Sequence, residues 1–109
     1  MRIVIRKTAG LPRSLARLAR RRLEFALGRF GTHVRSLTVR MTDLNGPRGG
    51  VDKHCLVAIR LTSPPRLVVI QDTDVEAAVA IARVVERAAR VVAGAVHRLA
   101  DWRPTNRGV

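Results

Sequence analysis

The residues best able to do chemistry in this chain are its arginines. Arg13, Arg17 and Arg20 recur at steps of four and three, as do Arg83, Arg87 and Arg90; Arg21 stands four after Arg17, and Arg98 about two turns beyond Arg90. On an α-helix such spacing places side chains on one face, where like charges repel by a few tenths of a kcal/mol per pair. A helix that holds such a row with only Glu24 to answer it is suited to meeting an anion. The alternative is a solvated face in an arginine-rich proteome, though solvated faces usually mix signs. The total charge agrees with the first reading: 21 Lys+Arg stand against 8 Asp+Glu, a net +13, and such a field draws polyanions. Only Lys7 and Lys53 of these cations are lysines. A GC-rich genome accounts for that bias, yet arginine is also the side chain that forks onto phosphate.

Other chemistries find little support. His54 and Cys55 are neighbours in an extended run, so their side chains point to opposite faces and cannot form a Cys–His pair. Cys55 shares a face with Val57 and Ile59 and reads as a buried thiol. His33, His54 and His97 lack metal-ligand spacing. Asp43 and Asp52 flank a glycine-rich stretch and suit turn capping better than a carboxylate pair. No nucleophile, cofactor loop or metal cluster emerges, so the chain is expected not to be an enzyme and to need no cofactor, metal or small-molecule substrate. Aromatic residues are scarce: Phe25, Phe30 and Trp102, with no tyrosine. Both phenylalanines are expected in the core, which disfavours base stacking and leaves phosphate and shape recognition.

These residues need elements to position them. The 109 residues, 47% hydrophobic, suffice for one domain. "RIVIR" (2–6) alternates as a short strand. Leu11, Leu15, Ala19, Leu23, Leu27 and Phe30 form the apolar stripe of a first helix, with Pro12 in its first turn and Gly28 or Gly31 to end it. "HVRSLTVRMTDL" and "HCLVAIRLT" alternate as half-buried strands, Pro64-Pro65 forces a turn, and "RLVVIQ" is a fourth strand. Thr73-Asp74-Val75-Glu76 reads as a capping box for a second helix over 74–100, about 40 Å long. Its expected stripe is Val75, Val79, Ala82, Val85, Ala89, Val92, Val96 and Leu99. The order β-α-β-β-β-α predicts an α+β two-layer sandwich: a four-stranded sheet, strand one parallel to strand two, strands two to four an antiparallel meander, and both helices side by side on one face. Residues 1–101 are expected to form a single domain, with 102–109 a flexible C-terminal tail. No apolar run reaches the ~18 residues of a membrane span, no secretory h-region follows Arg2, and one cysteine suits a reducing compartment. A cytoplasmic location without a membrane partner is expected.

The stretch "DLNGPRGGVDKHC" (43–55) lies between strands two and three. Asn45-Gly46 with Pro47 is strong turn chemistry, so a long hairpin loop explains it alone. A phosphate-cradling loop is the functional alternative, with Arg48 and Lys53 supplying charge. The P-loop pattern fails because Lys53 follows no glycine and no helix follows. Gly46-Pro47-Arg48-Gly49 fits a GXXG formally, but in KH domains that loop joins two helices.

The run does resemble the corresponding loop in a subset of the ribosome hibernation promoting factor family, the ribosome-associated translation inhibitors, where "D-x-N-G-P-[RK]-G-G-x-D-K-x-C" recurs. "DTD" ahead of a helix, then "ERAARVVAGAVHRL", is similar to that family's last helix. The likeness spans most of the chain, and the element order is the family's, a relative of the double-stranded-RNA-binding fold. It implies a short-form protein without the C-terminal dimerisation domain, docked between head and body of the small ribosomal subunit or 70S ribosome. There it would occupy the mRNA and tRNA path and halt translation in stress or stationary phase. It also implies rRNA contacts from the Arg-rich first helix (Arg13, Arg17, Arg20, Arg21) and from Arg83, Arg87, Arg90 and Arg98, to which the loop reading adds Arg48 and Lys53. Two positions depart from the pattern: Ala78, where a Tyr or other large residue is frequent, and Gly94, where a further basic residue stands. A free-standing regulator that binds double-stranded RNA or DNA is the alternative. With the helices side by side, two arginine rows are expected to straddle one groove.

Overall fold

A computed structural model describes residues 1–8, 10–44, 52–62 and 65–101, with side chains to residue 98. The elements run β1 (Arg2–Lys7), α1 (Arg13–Leu27), a 3₁₀ turn (Gly28–Phe30), β2 (Val34–Asp43), β3 (Lys53–Thr62), β4 (Pro65–Asp74) and α2 (Ala77–Asp101). The sheet order is β1-β2-β3-β4, with β1 parallel to β2 and the other pairs antiparallel. This is the α+β arrangement expected from the element order.

Alternation in the strands decides which face is buried. Leu37, Val39 and Met41 of β2 pair with Ile59, Val57 and Cys55 of β3, and Val57 pairs in turn with Ile70 of β4. All are buried. Both helices cover this face: α1 packs on β1 and α2, and α2 on β3 and β4. The α1 stripe is as expected, with Leu11, Ala19, Leu23, Leu27 and Phe30 buried and Leu15 packed against them. The turn into α1 uses Gly10 at φ +97°, a conformation L side chains rarely adopt.

As expected, α1 ends at Gly28, its C-cap; both Gly28 and Gly31 are right-handed (φ −56° and −55°), and the chain tightens into the 3₁₀ turn. Three expectations fail. The capping box does not form. Asp72, Thr73 and Asp74 pair with Cys55, His54 and Lys53, so the ladder holds Thr73 extended. Asp74 Oδ2 instead accepts the Glu76 N–H at 2.9 Å, and α2 starts at Ala77. Second, the α2 stripe is rotated in part: Val85 and Val92 are buried as expected, but Ile81, Val84, Ala88 and Ala95 join them, and Val75 precedes the helix and is exposed. Apolar residues cover most of this helix's circumference, so several stripes fit the sequence, and contact with both sheet and α1 selects one. Last, Phe25 is not in the core; it is 93% exposed. The Asn45–Val51 stretch, with Arg48, and the tail from Trp102 onward lie outside the described residues.

Candidate nucleic-acid interface

Helix α1 carries five arginines and one glutamate. Its core stripe fixes the rest of its circumference, so Arg13, Arg17, Arg20, Arg21 and Arg22 are all exposed. Arg20 bends to the sheet edge, donating to the Ile3 carbonyl of β1 at 3.3 Å. Arg17 and Arg21 line a surface hollow on the outward face with Ser14 and Arg20. Among the described residues none of these five guanidinium groups has an ion pair. The first turn of α1 contains no acidic residue, and Pro12 supplies no side-chain cap. The positive end of the helix dipole therefore adds to the field of Arg13.

Helix α2 is different. Arg83 Nη1 lies 3.2 Å from Asp74 Oδ1. Arg87 donates to the Gln71 carbonyl at 2.6 Å and sits 3.7 Å from Asp72. Arg90 pairs with Glu86 one turn back at 2.9 Å. All three guanidinium groups remain partly exposed, so these pairs contribute little stability, under about 1 kcal/mol each. They do cancel charge locally. Arg98 is exposed in the last turn, and its Nη1 lies 3.4 Å from where a Cβ on Gly94 would stand.

The expected two-row clamp does not form. Arg20 reaches the β1 edge and Arg87 the β4 edge, and these are opposite edges of the sheet. The groove between the helices is lined instead by Leu18, Arg21, Arg22, Phe25, Ala26, Ala82, Val85 and Glu86, with a volume near 460 Å³. Of the two helices, α1 therefore carries most of the charge without an ion pair among the described residues. Sequence reasoning missed Arg22 and Phe25 as groove residues. The signal was available, since Phe25 stands four residues after Arg21, on the charged side of the wheel.

Lys53 is placed by the β2–β3 hairpin. Asp43 and Lys53 are register partners, and the lysine ammonium bridges Asp43 (3.3 Å) and Asp52 (2.8 Å). Two carboxylates already surround this cation, so it has little free charge to offer a phosphate. The Asp52 side chain is fully buried. Its hydrogen bond from Lys53 holds its pKa below the ordinary 3.8 against the opposing effect of burial. The same bond raises Lys53 above 10.5. A depressed carboxylate stabilises the fold above its unfolded pKa and loses that contribution as pH falls through the folded value. In urea titrations from neutral to acid pH, the wild type should therefore lose stability below about pH 4 more steeply than Asp52→Asn. Parallel acid profiles would contradict the pairing. Raised Lys53 contributes with the opposite sign, fully below pH 10.5 and fading as pH climbs past its folded value.

Cys55 is buried, and burial pushes its thiol up to about 11. At neutral pH it is overwhelmingly the inert thiol form. His54 faces the other side of the sheet, where its Nε2 lies 2.8 Å from Gln71 Oε1.

No protein-family model and no curated protein matches the chain. Solved structures do. A ribosomal subunit interface protein from Coxiella burnetii superposes with a TM-score of 0.70 at 10% identity, covering 86% of this chain and 96% of that one. The fold is shared with a ribosomal subunit interface protein. The N-terminal domain of Protein Y from Thermus thermophilus superposes with a TM-score of 0.66 at 19% identity, covering 84% and 96%. At these identities the likeness is one of fold. No helix among the described residues is long and apolar enough to cross a membrane.

Proposed function

We propose that this chain is a ribosome-associated translation inhibitor of the hibernation promoting type, acting in the cytoplasm by occlusion and without catalysis or cofactor. The observation that carries the reading is the unpaired arginine face of α1, mounted on a fold shared with a ribosomal subunit interface protein. Arg13, Arg17, Arg20 and Arg21 would hold small-subunit rRNA through its phosphates, with Arg22 at the rim. Arg98 would extend the contact. Arg83, Arg87 and Arg90 would join by exchanging their carboxylates for phosphates, each exposed pair costing little to open. Arg48 and Lys53 are minor members of this interface. The body behind α1 would then fill the path of mRNA and tRNA.

Contacts of this kind are made to the backbone and recognise shape more than sequence. Sedimentation through sucrose gradients distinguishes a ribosome binder from a free-standing duplex binder. Co-migration with small subunits or 70S particles at moderate salt, released as salt rises, is the expected result. A protein that stays at the top of the gradient while retarding free RNA or DNA duplexes would overturn the ribosomal assignment.

A further inference from the structure

The sheet has a second face that neither helix covers. Strand alternation and register place on it Arg2, Val4 and Arg6 of β1, and Ser36, Thr38, Arg40 and Thr42 of β2. His54, Leu56, Ala58, Arg60 and Thr62 follow from β3, and Leu67, Val69, Gln71 and Thr73 from β4. Arg2, Arg6, Arg40 and Arg60 are all exposed. Every described carboxylate in the sheet (Asp43, Asp72, Asp74) falls on the helix-covered side by the same alternation. Among the described residues the paired positions of this face carry four guanidinium groups and no acid, and the exposed Arg35 sits at the register irregularity between Val34 and Ser36.

Arg6 and Arg40 are direct cross-strand partners. Like charges placed opposite each other destabilise a sheet. Here the pair persists with no described ion pair on either member. Arg60 is separated from Arg2 only by Ser36, the register partner of both. At about 3.3 Å per residue and 4.8 Å per strand, the four guanidinium stems frame an area roughly 13 Å by 5–10 Å. Between them lie Val4, Ser36, Thr38 and Ala58, with Leu56 beside Arg40 and Thr42 just beyond it. Leu67 and Val69, about half exposed, form an apolar margin on β4. Among the described residues no aromatic ring lies on this face to stack a base. Arginine forks beside hydroxyl donors, without stacking platforms, suit phosphates and ribose hydroxyls.

We propose that the uncovered sheet face is a second RNA-backbone contact surface, centred on Arg6 and Arg40 with Arg2 and Arg60, on the side of the molecule opposite α1. The contact stands on the sheet alone. Its consequence, that one molecule bridges two stretches of RNA, rests also on the α1 reading given above.

The test uses the full chain and a short RNA duplex carrying either a donor or an acceptor dye. Wild-type protein should bring two duplexes together and produce energy transfer. Arg6→Gln with Arg40→Gln should abolish the transfer while one duplex stays bound, and Arg60→Gln alone should weaken it. A variant confined to α1, Arg17→Gln with Arg21→Gln, should also lose transfer but still bind one duplex through the sheet. That remaining binding should have a log–log salt slope flatter by about 1.5 once Arg6 and Arg40 are also neutralised, at 0.7–0.9 per contact. Unfolding midpoints should hold or rise, because like-charge neighbours are removed. The proposal is overturned if wild type never holds two duplexes and Arg17→Gln with Arg21→Gln abolishes all RNA binding, an outcome that leaves the α1 reading intact. Equally effective competition by polyglutamate at matched charge would also overturn it, pointing to an acidic protein instead. Binding lost with the sheet variant and unaffected by the α1 variant would support the sheet contact and remove the α1 reading.

Discussion

Arg17→Glu combined with Arg21→Glu is expected to weaken binding to the small ribosomal subunit by about 100-fold or more, with unchanged circular dichroism. Two phosphate contacts are lost and two repulsions gained, and each contact also carries its share of the salt dependence. The fold should not suffer. Both side chains point outward, and glutamate forms helix nearly as well as arginine. The check is a pelleting titration of the folded variant against purified small subunits. Near-wild-type affinity would remove α1 from the interface. The matching reversal on α2 is a poorer test. Arg83→Glu with Arg87→Glu would set new carboxylates beside Asp74 and Asp72, so it would loosen the seam between α2 and β4 as well as alter any RNA contact.

The second large effect concerns the anchoring of α1. Leu23 is fully buried between its helix and the sheet. Leu23→Ala should cost about 3 kcal/mol, within the 2–5 kcal/mol typical of such cavities. For a domain of this size that corresponds to a melting temperature lower by roughly 12–24 °C. Thermal unfolding followed by circular dichroism checks it. A shift of only a few degrees would mean that α1 sits loosely and does not hold its arginines in fixed positions. Because the charged face and the apolar stripe share one helix, RNA affinity should fall with the temperature at which α1 detaches.

Much of this organisation is legible in the chain itself, for a physical reason. Strand alternation is local, so Leu37-Val39-Met41 and Val57-Ile59-Leu61 identify their buried faces without any tertiary information. The four-step stripe from Leu11 to Leu27 does the same for α1 and so exposes Arg13, Arg17 and Arg21. What could not be read depends on which elements meet. Thr73 carries a good capping signal, yet pairing with β3 keeps it in a strand. Arg87 looks as free as Arg17 in sequence. Only the packing of α2 over the β4 edge brings it to Asp72 and the Gln71 carbonyl. Lys53 looks like a loop cation until the hairpin register sets it against Asp43. The Arg6–Arg40 pair likewise needs the parallel register of β1 on β2. Phe25 is a different case. Its position on the wheel placed it among the arginines, and hydrophobic expectation overrode that signal.

The arginine face of α1 as the surface that touches rRNA is most directly tested by local cleavage from that helix. Ser14 is exposed and lies in the hollow with Arg17, Arg20 and Arg21, and Cys55 is buried and unreactive. A Ser14→Cys variant can therefore be labelled selectively with an iron chelate that generates hydroxyl radicals. Bound to small subunits, it should cut rRNA in a compact set of sites that disappears with Arg17→Glu and Arg21→Glu. A bound protein that leaves the rRNA uncut from residue 14 would contradict the account.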